Sequence, residues 1–187
     1  MGAYMGPHII YEIWNEPNGV NWTTVKAYAE EVIAVIRQND PSNIIVVGTP
    51  TWSQRVDQAA DNPINKTNIA YALHYYAATH KQSLRDKALY AINKGLPIII
   101  TEYGTVNSSG GGPVDQASSN DWWTFNDQYK LSYVNWAVYA NAGDAAIVLP
   151  GTKFDQLADP TKFAPSGVVV NQKYQATNQG VTCSGRK

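Results

Sequence analysis

Ile9-Ile10-Tyr11-Glu12-Ile13-Trp14-Asn15-Glu16-Pro17 and Leu96-Pro97-Ile98-Ile99-Ile100-Thr101-Glu102-Tyr103-Gly104 share one plan, a short apolar run that stops at a glutamate. Runs of this kind, rich in β-branched residues and bounded by turn formers, read as β-strands. The set comprises Ile9–Trp14, Asn43–Gly48, Asn68–His74, Leu96–Thr101 and Tyr133–Val138. Each is mostly apolar throughout rather than alternating, as expected of parallel strands covered on both faces.

Longer amphipathic segments lie between the runs. Val25, Tyr28, Ala29, Val32, Ile33 and Ile36 fall at helical spacing, and Asp40-Pro41 ends that segment. Leu84, Ala88, Ala91 and Ile92 line one face of a second helix, with Ser83 and Asp86 as a capping pair and Gly95 after its end. Shorter helices are expected around Val56–Ala60, Asp121–Gln128 and Ser166–Lys173. Five βα units running one way imply an α/β fold with a parallel sheet and right-handed crossovers, open or curled as part of a barrel. No internal repeat interrupts the 187 residues, so 1–187 reads as a single domain.

Composition removes several function classes. With 44% hydrophobic and 16% charged residues the chain can bury a core, and a net charge of −1 offers no basic face to nucleic acid or anionic lipid. Cys183 is the single cysteine, which excludes an internal disulfide and a thiolate metal cluster. No run approaches the roughly 18 apolar residues of a membrane span. Met1–Tyr11 has neither the basic start nor the apolar stretch of an export signal. Without HExxH, clustered histidines or an EF-hand loop, neither a metal nor another cofactor is expected. Ser108–Pro113 is Gly-rich but lacks a following GK[ST], so it reads as a mobile rim loop rather than a phosphate cradle. Asn21, Asn65 and Asn107 each open an N-x-[ST] triplet. Six Trp and twelve Tyr against three Phe leave two readings open, rings facing a ligand or rings packed with their polar ends wet.

In parallel α/β barrels the C-terminal strand ends form the active face, and two of these strand ends carry Glu16 and Glu102. Either glutamate alone reads as a strand-end residue that binds backbone N–H groups. Together they make the pair that glycoside hydrolysis needs, one acid for the leaving oxygen and one carboxylate on the other side of the anomeric carbon.

Tyr-Glu-Ile-Trp-Asn-Glu-Pro-Asn-Gly (11–19) resembles the acid/base motif of family 5 glycoside hydrolases, and Ile-Ile-Ile-Thr-Glu-Tyr-Gly-Thr (98–105) resembles their nucleophile motif. Gly-Thr-Pro-Thr-Trp-Ser-Gln (48–54), Ala-Leu-His-Tyr-Tyr-Ala (72–77) and Val-Asn-Trp-Ala (134–137) are similar in the same order, most closely to the bacterial cellulase branch. The resemblance implies a partial TIM barrel of strands 4 to 8 acting as a retaining endo-1,4-β-glucanase on β-glucan or cello-oligosaccharide, secreted by its source. It implies Glu16 as acid/base, Glu102 as nucleophile and Asn15 at the sugar 2-hydroxyl. It places His74 beside the acid/base, Tyr76 on the nucleophile, and Trp52 and Trp136 under glucose rings. His8 and His80 read as satisfied structural residues; Trp14, Trp22, Trp122 and Trp123 read as packing.

Against the family pattern, roughly the first three units are missing, with an arginine and a histidine that the family sets around the nucleophile. Arg37, Arg55 and Arg85, in or beside predicted helices, match no such position, and Asn141 stands where a sugar-binding lysine is common. An open arc of strands implies a partner for its bare edges, most simply another copy in a homo-oligomer. The rival reading is a catalytically inert β-glucan-binding or structural half-barrel.

Overall fold

A computed structural model describes residues 6–177; Cys183 and the first five residues lie outside it. Five strands run in chain order across one sheet: β1 (Ile10–Ile13), β2 (Ile44–Val47), β3 (Ile69–Tyr76), β4 (Ile98–Gly104) and β5 (Ser132–Asn135). Every neighbouring pair is parallel. The connections carry α1 (Trp22–Asn39), a single turn α2 (Pro50–Ser53), α3 (Val56–Asp61), α4 (Gln82–Asn93) and α5 (Gln116–Gln128), and α6 (Pro165–Thr177) closes the described chain. The sheet curls into half of a (β/α) barrel, the expected fold.

Alternation along β3 divides the core. Tyr71, Leu73 and Tyr75 join the large apolar cluster on the helix side, with Val25, Ala29 and Ile33 of α1, Leu84, Ala88 and Ala91 of α4, and Trp122 and Trp123 of α5. On the concave side Ala70 and Ala72 form a small apolar cluster with Val46 and Ile99. Small residues suit that narrower face, where side chains of a curled sheet converge. Trp122 stacks on Tyr75 with ring centroids 3.9 Å apart and planes 5° from parallel. Trp22, Trp122 and Trp123 are buried, and Trp14 packs edge-on against Tyr28, so these four indoles pack as expected.

Three expectations need correction. Coverage on both faces holds for β3, buried from Ile69 to Tyr75, but not for the outer strands, where Ile10 is 57% and Val134 56% exposed. Among the described residues each outer strand pairs on one side only. Ser83 does not cap α4: Lys81 stands at the N-cap without a side-chain bond, Ser83 lies inside the helix, and Asp86 Oδ1 accepts from Gln82 Nε2 at 2.7 Å. The central strands also run further than their apolar stretches, because pairing continues from His74↔Glu102 to Tyr76↔Gly104. α1 begins three residues before its apolar pattern, at Trp22, where Asn21 Oδ1 accepts from Thr24 N at 2.9 Å. No helix among the described residues is long and apolar enough to cross a membrane.

Candidate active site

The site is assembled where the sheet ends. After Ile13 the chain turns at Trp14, whose φ of 58° is left-handed backbone that costs a non-glycine residue energy. Gly48 permits the turn, because any Cβ there would overlap the Trp14 carbonyl. Asn15, Glu16 and Pro17 are thereby folded over the strand ends.

Beside them sits a feature absent from the sequence reading. Thr51, Trp52 and Ser53 have φ of 59°, 53° and 56°, so α2 is one turn of left-handed helix. It is tied to the glutamate loop: Ser53 Oγ donates to the Asn15 carbonyl at 2.8 Å, and Trp52 N donates to the Pro17 carbonyl at 3.1 Å. Thr49 Oγ1 anchors its base by donating to the Ala72 carbonyl on β3 at 3.2 Å. Strained backbone of this kind persists where the surroundings over-determine it.

On β3, His74 is 2% exposed, and its Nδ1 lies 2.9 Å from Glu16 Oε1. Its Nε2 lies 2.9 Å from Thr101 Oγ1, which donates to Glu12 Oε1 at 2.7 Å. Two residues on, the Tyr76 hydroxyl donates to Glu102 Oε1 at 2.8 Å. Burial first, and then the hydrogen bond to Glu102, push that hydroxyl well above the usual tyrosine range and keep it a donor. Gly104 makes room for the ring, since a Cβ there would overlap Tyr76 Cδ1 and Cε1. His80 Nδ1 accepts from Tyr76 N at 2.8 Å, and burial lowers the affinity of His80 for a second proton, which suits an acceptor.

A cavity of about 480 Å³ brings together Glu16, Trp52, His74, Tyr76 and Glu102 of the expected residues. Thr51, Gln54, His80 and Ser108 complete its lining. Asn15 and Trp136 do not line it. Asn15 is exposed and held through its carbonyl; Trp136, 50% exposed, lies just beyond β5 rather than on it, with its N–H donating to the Tyr103 carbonyl at 2.8 Å. One oxygen of Glu16, one of Glu102 and a nitrogen of His74 lie within 4.8 Å of one another. That donor set could surround a cation, yet both His74 nitrogens are already engaged by Glu16 and Thr101.

The remaining expectations resolve as follows. Arg37 donates to the carbonyls of Asp40, Asn43, Thr67 and Asn68, Arg55 pairs with Asp57, and Arg85 contacts Gln82 and Asp121 over Trp122. All three are engaged away from the cavity. Asn141 Oδ1 accepts from Gly143 N. In the Gly-rich loop Asn107 Oδ1 accepts from Ser109 N, and Asp144 Oδ2 from Gly112 N. Sequence reasoning missed Glu12 and Thr101, whose signal was alternation: both are polar in otherwise apolar strand stretches.

Comparison with known proteins finds relatives in sequence and in fold. A model of the Cellulase family (glycosyl hydrolase family 5) matches residues 5–142. Endoglucanase Z of Dickeya dadantii is 50% identical over 148 residues, 79% of this chain and 35% of that protein. Among solved structures, Cellulase Cel5C_n is similar at a TM-score of 0.84 and 48% identity, over 89% of this chain and 51% of that one. The catalytic domain of Thermobifida fusca endoglucanase Cel5A in complex with cellotetraose is similar at 0.82 and 34%, over 89% and 57%. The chain thus spans about a third of the length of the curated relatives and about half of the solved ones.

Proposed function

Because the chain belongs to glycosyl hydrolase family 5, we propose that its cavity hydrolyses β-1,4-glucan internally and with retention, through an ester on Glu102. The observation that carries this is the spacing of the carboxylates. Oxygens of Glu16 and Glu102 lie within 4.8 Å of each other, an approach compatible with the roughly 5–5.5 Å that retaining enzymes keep between their two carboxyl groups. The cellotetraose bound by the Thermobifida fusca relative supports a cello-oligosaccharide as ligand.

In the first step a Glu102 oxygen attacks the anomeric carbon as the glycosidic bond breaks, and Glu16 gives its proton to the departing oxygen. In the second, Glu16 takes a proton from water, the oxygen of that water attacks the same carbon, and Glu102 leaves as carboxylate. Tyr76 stabilises the ionised nucleophile through Oε1. His74 orients Glu16. Trp52, 48% exposed on the cavity wall, offers a flat ring to a sugar face; Trp136 and the Asn15 amide reach sugars from further out. No cofactor takes part. A polymeric substrate supports action outside the cell. The outer sides of β1 and β5, unpaired among the described residues, support self-association, which the mass in solution checks.

The test is reducing-end release from carboxymethylcellulose by the chain and by E16A and E102A. Activity lost in both variants is expected; wild-type release no higher than theirs would overturn the enzyme. One observation favours the second reading, an inert β-glucan-binding half-barrel: none of Arg37, Arg55 and Arg85 reaches the carboxylates. Retardation by the polymer without new reducing ends would establish it.

A further inference from the structure

The hydrogen bonds behind His74 have a direction that chemistry dictates. Glu12, as a carboxylate, only accepts, and Thr101 has a single hydroxyl hydrogen, which goes to Glu12 Oε1 at 2.7 Å. The Thr101 oxygen facing His74 Nε2 at 2.9 Å is therefore the acceptor, so Nε2 carries hydrogen. Imidazole Nδ1 then faces Glu16 Oε1 at 2.9 Å as a bare lone pair unless one proton lies between them. Neutral His74 requires a protonated Glu16; an ionised Glu16 requires an imidazolium. Either way the pair holds one transferable proton.

We propose that Glu12 is a positioning residue: acting through the Thr101 hydroxyl, it fixes His74 as the Nε2–H form and so keeps a proton on the His74–Glu16 contact. The proposal rests on the reading of Glu16 as the acid. Glu12 touches no reacting atom; it lies on β1, Thr101 on β4 and His74 on β3, so three strands hold the line. The other titratable groups lining the cavity are Glu102, Tyr76 and His80, and Tyr76 and His80 are bonded to each other or to Glu102 rather than to His74. Without Glu12 the Thr101 hydrogen is free to turn toward Nε2. His74 then carries its hydrogen on Nδ1 and donates to an ionised Glu16, which is the wrong state to protonate a leaving group.

The experiment reads the His74 tautomer directly, by two-bond 1H–15N correlation on the whole chain, for wild type, E12A, T101V and T101S, with unfolding temperature confirming that each is folded. Nε2–H is expected in wild type and T101S, and a shift toward Nδ1–H in T101V and E12A. The same samples are assayed on phenyl and 2,4-dinitrophenyl β-cellobioside. The phenyl leaving group needs the acid, so E12A is expected to lose about tenfold in kcat/KM, part of the 10²–10⁴-fold that proton transfer supplies. The dinitrophenyl group departs unaided and is expected to change by no more than about twofold. An unchanged tautomer in E12A, or equal losses on the two glycosides, overturns the proposal. A chain that cleaves neither glycoside while its tautomer still switches removes the glucanase reading and leaves the relay standing.

Discussion

The two faces of β3 share one backbone and do opposite work. Toward the helices, Tyr71, Leu73 and Tyr75 pack against apolar neighbours and a stacked Trp122. Toward the concave side, Ala70 and Ala72 give way to His74 and Tyr76, each bonded to a different glutamate. A period of two lets adjacent residues serve stability and chemistry separately. It follows that substitutions on one face should leave the property of the other nearly untouched.

The strongest attempt to break that division is E102Q, expected to abolish reducing-end release while the unfolding temperature stays near wild type. Loss of fold with loss of activity would show that the faces are not independent. On the helix side, Leu73→Ala is expected to cost about 2–5 kcal/mol of stability, as buried leucines do, with activity per folded molecule unchanged; denaturant unfolding and active-site titration read the two quantities. Y76F sharpens the contrast, since it removes one hydroxyl and leaves the ring. A drop of about 10- to 100-fold in kcat is expected, the size of a hydrogen bond to a charged group worth roughly 1.5–3 kcal/mol. W52A is expected to raise KM up to about tenfold, in line with the roughly 0.5–1.5 kcal/mol of an aromatic contact, and to leave kcat nearly unchanged.

Alkali tests the buried tyrosines, most of which belong to the packed face. Burial raises the hydroxyls of Tyr71, Tyr75, Tyr103 and Tyr174 above the ordinary 10, and that of Tyr133 to about 12. Below pH 10 both folded and unfolded states keep these protons; above it the unfolded chain releases them first, so stability falls as pH rises from about 10 through 12. Unfolding should therefore coincide with a cooperative rise of tyrosinate absorbance from these five rings, beyond the signal of exposed rings such as Tyr28 and Tyr90, and a complete tyrosinate signal before unfolding would contradict it.

Much of this was legible in the order of residues. Apolar runs that end in Glu16 and Glu102 gave parallel strands and a shared rim, because burial demands continuous hydrophobicity and chemistry demands that it stop. What stayed hidden depended on contacts between distant segments. The left-handed turn at Thr51–Ser53 has no glycine to announce it; it is held by carbonyls of Asn15, Pro17 and Ala72, and Ala72 lies on another strand. Thr101 shows in the sequence only as a polar residue in an apolar stretch; its partner Glu12 comes within reach when the sheet curls. Strand ends were misjudged for a similar reason, since pairing between β3 and β4 carries polar residues that hydropathy alone would release.

Under the proposed function, the left-handed turn also bears on how tightly a sugar is held. Three non-glycine residues in that conformation cost roughly 1–2 kcal/mol each, and this is met once, when the chain folds. The indole of Trp52 is then already set against the cavity before any glucan arrives, so its ordering entropy does not weaken association. A platform frozen in advance should show itself as a fast, nearly temperature-independent on-rate, with discrimination among oligosaccharides expressed in how long they stay.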